Sequence, residues 1–87
     1  MTIKELFSSA CKETGFKVTV HDTHYHYLEN YEGDSVLYVD FSNDPVYEDD
    51  CRILQTVEEY HIVEWWITIT AGVLHIMVEE DLPENCT

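Results

Sequence analysis

Two apolar runs, Ile62 to Thr70 and Val73 to Glu79, are separated only by Ala71-Gly72. Both are rich in β-branched and aromatic residues, and glycine supplies the turn, so the pair reads as a β-hairpin. By strand alternation Val63, Trp65, Ile67 and Ile69 share one face, and Ile62, Glu64, Trp66, Thr68 and Thr70 the other. Leu74, Ile76 and Val78 match the first set in the returning strand. Both faces of this hairpin are apolar, which calls for a second covering layer or a homodimer.

The rest of the chain is read around that hairpin. Residues 2–14 have helical spacing, with Ile3, Leu6, Phe7, Ala10 and Cys11 on one face. Thr2 and Glu5 form a capping box, and Gly15 is the expected stop. Phe16 to His21 alternates as a half-buried strand, a second strand is expected over His24 to Glu29, and a third over Ser35 to Ser42. Asn43-Asp44-Pro45 opens a second helix, with Asp44 as cap and Val46, Ile53, Leu54, Val57 and Tyr60 at helical spacing. The expected fold is α+β: an N-terminal helix, an antiparallel sheet of about five strands, and one further helix between strands 3 and 4. At 87 residues this is a single domain, 1–87, with residues 80–87 as a frayed acidic tail.

Charge sets the functional expectations. The chain holds 18 Asp+Glu against 4 Lys+Arg, a formal net charge of −14. Beyond Lys17 the only Lys or Arg is Arg52. Acidic disordered chains are poor in apolar residues, but this one is 45% hydrophobic and 13% aromatic, so it can build a core. The charge also exceeds the magnitude of roughly 2–8 that solubility asks of a small domain. A basic partner is the simplest reason for it. Direct nucleic-acid binding and an anionic membrane surface are both disfavoured by the missing cations.

Few motifs for chemistry are present. Cys11, Cys51 and Cys86 form no C-x-x-C, and their odd number argues against a disulfide framework and for a reducing cytoplasm. The first residues lack the apolar run of a signal peptide, and Ile62 to Met77 is too polar for a membrane span. Gly15, Gly33 and Gly72 are isolated, so no phosphate-binding loop is seen, and no nucleophile motif or EF-hand occurs. The chain is expected to be non-catalytic and to need no cofactor. One metal candidate exists: His21, His24 and His26, of which His24 and His26 would share a strand face about 6–7 Å apart. Against it stands a plain polar strand. His61 and His75 lie in no motif.

Carboxylates on alternate strand positions, or three to four apart on a helix, recur about every 5–7 Å, a spacing comparable to that of phosphates. The expected partner-binding acids are Glu29, Glu32 and Asp34 in the loop before the third strand, Asp44, Glu48, Asp49 and Asp50 opening the second helix, and Glu58, Glu59 and Glu64 after it. Glu79, Glu80, Asp81 and Glu84 extend the series. Tyr31, Tyr47 and Trp66 are the aromatics expected to join them, because interface hot spots favour Trp and Tyr. The alternative is a solvated surface with acids on all sides.

The opening Met1-Thr2-Ile3-Lys4-Glu5-Leu6-Phe7, the Glu13-Thr14-Gly15 that follows and the run into Val18 and Val20 resemble the start of the uracil-DNA glycosylase inhibitor family of bacteriophages. There a helix ends in the same Glu-Thr-Gly and runs into a strand. The likeness covers about the first fifth of the chain and carries over no functional residue. Size and acidity also resemble phage-encoded DNA-mimic inhibitors of restriction or CRISPR effectors. The resemblance implies a protein of the host cytoplasm that blocks the groove of a basic nucleic-acid-binding protein or nuclease. Two alternatives are an immunity protein or antitoxin against a basic toxin, and a small metal-binding protein built on the three histidines.

Overall fold

The computed structural model describes residues 1–9, 15–40 and 49–83. Helix α1 spans Ile3–Ser8 and begins with the expected capping box: Glu5 N–H donates to Thr2 Oγ1 at 3.2 Å, and Thr2 N–H to Glu5 Oε1 at 3.1 Å. It is shorter than its apolar spacing suggests. The hydroxyls of Ser8 and Ser9 donate to the carbonyls of Glu5 and Leu6 at 2.9 and 2.8 Å, and Ser9 is the C-cap. Serine hydroxyls that bond the preceding turn compete with helix continuation. Gly15 is therefore not the helix stop. It is the first residue of β1 (Gly15–Asp22), where a Cβ would lie 2.8 Å from Cζ of Tyr38 and collide with its hydroxyl.

Three more strands, β2 (Leu37–Asp40), β3 (Ile62–Thr68) and β4 (Val73–Val78), complete one sheet in the order β2-β1-β4-β3. The expected antiparallel sheet of about five strands is corrected to four strands in a mixed sheet. β1 runs antiparallel to β2 but parallel to β4, in register from Lys17↔Val73 to Asp22↔Val78. The hairpin is present, with β3 antiparallel to β4, but β3 ends at Thr68 and not at the expected Thr70. Thr68 pairs with Val73, and the turn takes residues 69–72, with Gly72 at φ 65° and its N–H donating to Thr68 carbonyl at 2.8 Å. A bulge between Ile62 and Glu64 interrupts the ladder near its start.

The strand expected over His24 to Glu29 does not form. Its backbone donors are taken elsewhere: both His24 and His26 give their N–H to the Asp22 carboxylate. A single bridge, His21↔Tyr27, and the bonds from Leu28 N–H to Val20 carbonyl (2.9 Å), Asp22 N–H to His26 carbonyl (3.0 Å) and Tyr25 N–H to Asp22 carbonyl (3.1 Å) tie this segment to the end of β1 as a turn, not a ladder.

Helix α2 spans Asp49–Gln55, and the expected cap at Asp44-Pro45 lies outside the described residues. The helix was expected to reach Tyr60. It stops because Thr56 Oγ1 donates to the Ile53 carbonyl at 2.6 Å, and the next turns close three residues back, as in Val57 N–H to Leu54 carbonyl. Even so, Ile53, Leu54 and Val57 are buried as their spacing predicts.

The core forms between one face of the sheet and the two helices. Val18, Val20, Leu37, Val39, Ile76 and Val78 meet Ile3, Ile53, Leu54 and Val57, with Leu28 closing one side. Each such side chain stabilises the fold by about 1.5–3 kcal/mol on burial. Leu82 packs on the same cluster, so residues 80–83 of the expected frayed tail are docked. No helix among the described residues is long and apolar enough to cross a membrane. We expect Ile76→Ala, at the centre of the core, to lower unfolding free energy by about 2–5 kcal/mol in urea titrations. Ile69→Ala, in the exposed turn, should change it by less than about 0.5 kcal/mol.

Candidate functional site

Asp22 organises the end of the sheet where the candidate histidines lie. Its side chain is completely buried at the last position of β1. Oδ1 accepts the N–H groups of His24 (2.9 Å) and His26 (3.0 Å), and Oδ2 accepts that of Leu82 at 3.4 Å. Burial pushes the carboxyl pKa up, but the donors from His26, Leu82 and His24, with the His26 ring 3.3 Å away, hold it below 3.8 on balance. One buried acid thus folds the 23–26 loop and pins the segment after β4.

Of the three sequence-predicted histidines, His24 and His26 lie side by side, with ring centroids 6.3 Å apart, but His21 is paired instead with His75. His26 faces Asp22, and His24 Nε2 lies 3.7 Å from Asp81 Oδ1. His21 sits on the sheet face away from the helices, where its Nε2 is 3.2 Å from His75 Nδ1. His75 Nε2 in turn is 2.8 Å from Thr68 Oγ1. Trp66, the cross-strand neighbour of His75, lies parallel to it with ring centroids 5.0 Å apart. Burial, then the neighbouring His75, lowers the His21 pKa below 6.5, while Asp22 opposes the shift. This row is a packed, hydrogen-bonded cover for an open sheet face. His75 was invisible as a partner because it lies in no motif and meets His21 only through the parallel β1–β4 pairing.

The acids converge most clearly around His61. Residues Met1 to Lys4 run beside the chain entering β3: Ile62 N–H donates to Met1 carbonyl (2.8 Å), Ile3 N–H to Tyr60 carbonyl (3.1 Å), and Lys4 N–H to Glu58 carbonyl (2.8 Å). On the other side, Glu79 N–H donates to His61 carbonyl at 2.9 Å. Glu58 and Glu59 therefore lie in the segment that leads into His61, and Glu79, Glu80 and Asp81, which follow β4, begin at the residue bonded to His61. Glu80 grips His61 twice, accepting its backbone N–H at 2.8 Å and facing its Nδ1 at 2.7 Å. That bond, and the charge of Glu80, raise the His61 pKa above 6.5, and the same bond lowers the pKa of Glu80 below 4.5. Lys4 Nζ lies 3.7 Å from Glu59, an exposed pair of little energetic weight. Ligand atoms of His61, Glu79 and Glu80 lie within 4.8 Å of one another, a spacing that exposed acidic groups often adopt without an ion.

Other expected partner-binding residues fall elsewhere. Glu64 is exposed on β3 and shares a face with Trp66, through its pairing with Met77. Asp50 is engaged internally, its Oδ2 accepting Tyr38 N–H at 2.9 Å. Glu32 and Asp34 sit in a separate loop held by Asn30, whose Oδ1 accepts both their N–H groups at 2.9 and 3.0 Å, with Gly33 at φ 86°. Tyr31 is exposed in that loop and Glu29 is half-buried before it. Asp49 is the first residue of α2, while Asp44, Glu48 and Tyr47 lie outside the described residues. The site therefore gains His61 with Glu79, Glu80 and Asp81, at the end of the sheet where the segment carrying Glu58 and Glu59 enters β3. The Glu79-Glu80-Asp81 run was the only local signal for it.

Compared with protein-family models, with curated proteins and with solved structures, the chain matches none of them.

Asp22→Ala should cost about 3 kcal/mol at neutral pH, because three backbone donors lose a charged acceptor. The folded pKa is depressed, so Asp22's contribution is full above 3.8 and fades as pH falls through the lower folded value. The stability gap between wild type and variant, measured by urea titration, should shrink over that acid range. For His61 the sign is opposite. Its contribution is full below 6.5 and fades as pH rises through the raised folded value. Glu80→Gln should return the His61 titration, followed by NMR of the ring protons, towards 6.5.

Proposed function

We propose that this chain is a non-catalytic inhibitor that occupies the basic nucleic-acid-binding groove of a host defence or repair protein, presenting carboxylates where phosphates would lie. The observation that carries the reading is the gathering of Glu58, Glu59, Glu79, Glu80 and Asp81 at one end of the sheet. These acids reach that end from two directions, the exit of α2 and the end of β4. A fold that only needed solubility has no reason to concentrate them. The likeness to DNA-mimic inhibitors points the same way, through size and acidity.

The groups are suited to fast capture. Carboxylates on a net charge of −14 attract a basic groove over long range and raise the association rate. Exposed Glu59, Glu79 and Asp81 make few internal bonds, so they can turn towards a partner's Lys and Arg. Glu80 is held by His61 and keeps the array in place. Tyr31 is remote in sequence and loop, and its part in the interface is secondary.

The test is capture of proteins from host lysate on the immobilised chain, repeated with duplex DNA as competitor and across a salt series. The reading expects a basic nucleic-acid-binding protein that DNA displaces and whose affinity falls steeply with added salt. The triple variant Glu59→Lys, Glu79→Lys, Asp81→Lys should weaken that affinity at least about tenfold, while Glu32→Lys with Asp34→Lys should have a smaller effect. A captured protein indifferent to both DNA and salt would contradict the reading. So would a basic toxin bound away from any nucleic-acid groove.

A further inference from the structure

The two edges of the sheet are treated differently. On β2 the Asp50 carboxylate takes the Tyr38 N–H, and the strand is only four residues long. Both are ordinary ways of blunting an edge against unwanted pairing. On β3 neither applies. Seven residues long, it pairs with β4, and among the described residues its outer edge is engaged only at the start, where Ile62 N–H donates to Met1 carbonyl at 2.8 Å before the bulge. No side chain among them caps the edge from Glu64 to Thr68. Its apolar side chains stand in solvent: Val63 at 54%, Trp65 at 62% and Ile67 at 56% exposed, with Ile69 at 88% just beyond. Trp65 and Ile67 lie on the core side of the sheet, opposite the buried Ile76 and the half-buried Leu74, yet remain uncovered. Edges of this kind pair with another strand.

We propose that β3 is a self-association edge, on which β3 of a second copy of this chain pairs antiparallel and doubles the four-stranded sheet. Charge selects this occupant. From Ile62 to Ile69 the strand carries one carboxylate, Glu64, whereas the acids that would draw a basic partner are gathered around His61. What complements the neutral, apolar stretch of this edge beyond Glu64 is another of the same kind. The strand is also self-complementary. With the two-fold axis at Trp66, Trp65 stands opposite Ile67 of the second copy, and Glu64 opposite its Thr68. The two Glu64 side chains are then four residues apart along the ladder, about 13 Å. That exceeds the screening length of about 8 Å at physiological salt. A Trp side chain can bury roughly 150–250 Å², so Trp65 and Trp66 with Val63, Ile67 and Ile69 supply a large share of the about 800 Å² per partner that a stable interface uses.

Sedimentation velocity on the purified full chain tests this, across a wide range of protein and salt concentrations. The expected result is a monomer–dimer equilibrium that shifts towards dimer with protein concentration and also with added salt. Two copies of net charge −14 repel, and salt screens that repulsion. Capture of a basic partner by the acids has the opposite salt dependence, so the two proposals fail separately. Ile67→Lys should weaken self-association at least about thirtyfold, as loss of a hot-spot side chain does, with the far-UV circular dichroism unchanged. Trp65→Lys serves as the second variant, and the Glu59, Glu79, Asp81 triple variant should still dimerise. Amide exchange of the unaltered chain offers a readout independent of any variant: β3 amides should become more protected as concentration rises. A monomer under all conditions, concentration-independent exchange in β3, or a dimer that both lysine variants leave intact would overturn the proposal, whether the edge is then filled by a different protein or by nothing.

Discussion

Six residue pairs, from Lys17↔Val73 to Asp22↔Val78, join β1 to β4, and the core and the candidate site both depend on that parallel contact. It sets Val18 and Val20 beside Leu74 and Ile76 at the centre of the core. It also brings the ends of both strands to the same side. The 23–26 loop after β1 and residues 79–82 after β4 therefore meet at Asp22, and Asp22 can bond the backbone of both. Parallel pairing requires the chain to travel across the sheet between the two strands. Here that journey contains β2, α2 and β3, and its last stretch delivers Glu58, Glu59 and His61 to the same end.

A chain with 18 acids and 4 Lys+Arg cannot neutralise its carboxylates with cations. Several are satisfied by backbone N–H groups instead: Glu5 by Thr2, Asp22 by His24, His26 and Leu82, Asp50 by Tyr38, and Glu80 by His61. A carboxylate that accepts such donors is stabilised in its charged form without a cation. The acids thereby serve as clamps between elements as well as surface charge. Of those left over, the exposed Glu59, Glu64, Glu79 and Asp81 lie near the start of β3 and the end of β4, whereas the exposed Glu32 and Asp34 lie in the loop after Asn30. Apolar Trp65 and Ile67 lie on the same strand as Glu64, so charged and neutral surfaces adjoin.

What was legible in the sequence was local. The capping box of Thr2 and Glu5, the alternation in β1, the pairing of two strands about Gly72 and the helical spacing of Ile53, Leu54 and Val57 all depend on neighbours within a few residues. The errors arose where a side chain competed with the backbone. Asp22 drew the donors of His24 and His26 away from a strand, and Thr56 ended α2 early through the Ile53 carbonyl. Strand order was the other gap, since alternation fixes which side chains share a face but not which strands are neighbours. For the same reason the acids could be counted but not placed. His75 beside His21, and Glu80 beside His61, meet across 54 and 19 residues respectively, with no motif to announce either contact.

The central claim is that the acids around His61 are the face that meets a basic partner. Backbone amide NMR of the labelled chain, titrated with the basic protein it captures, tests this most directly. The account predicts shifts concentrated in residues 58–64 and 79–82, with the Asn30 to Asp34 loop little changed. Shifts centred on that loop, or spread evenly over the chain, would contradict it.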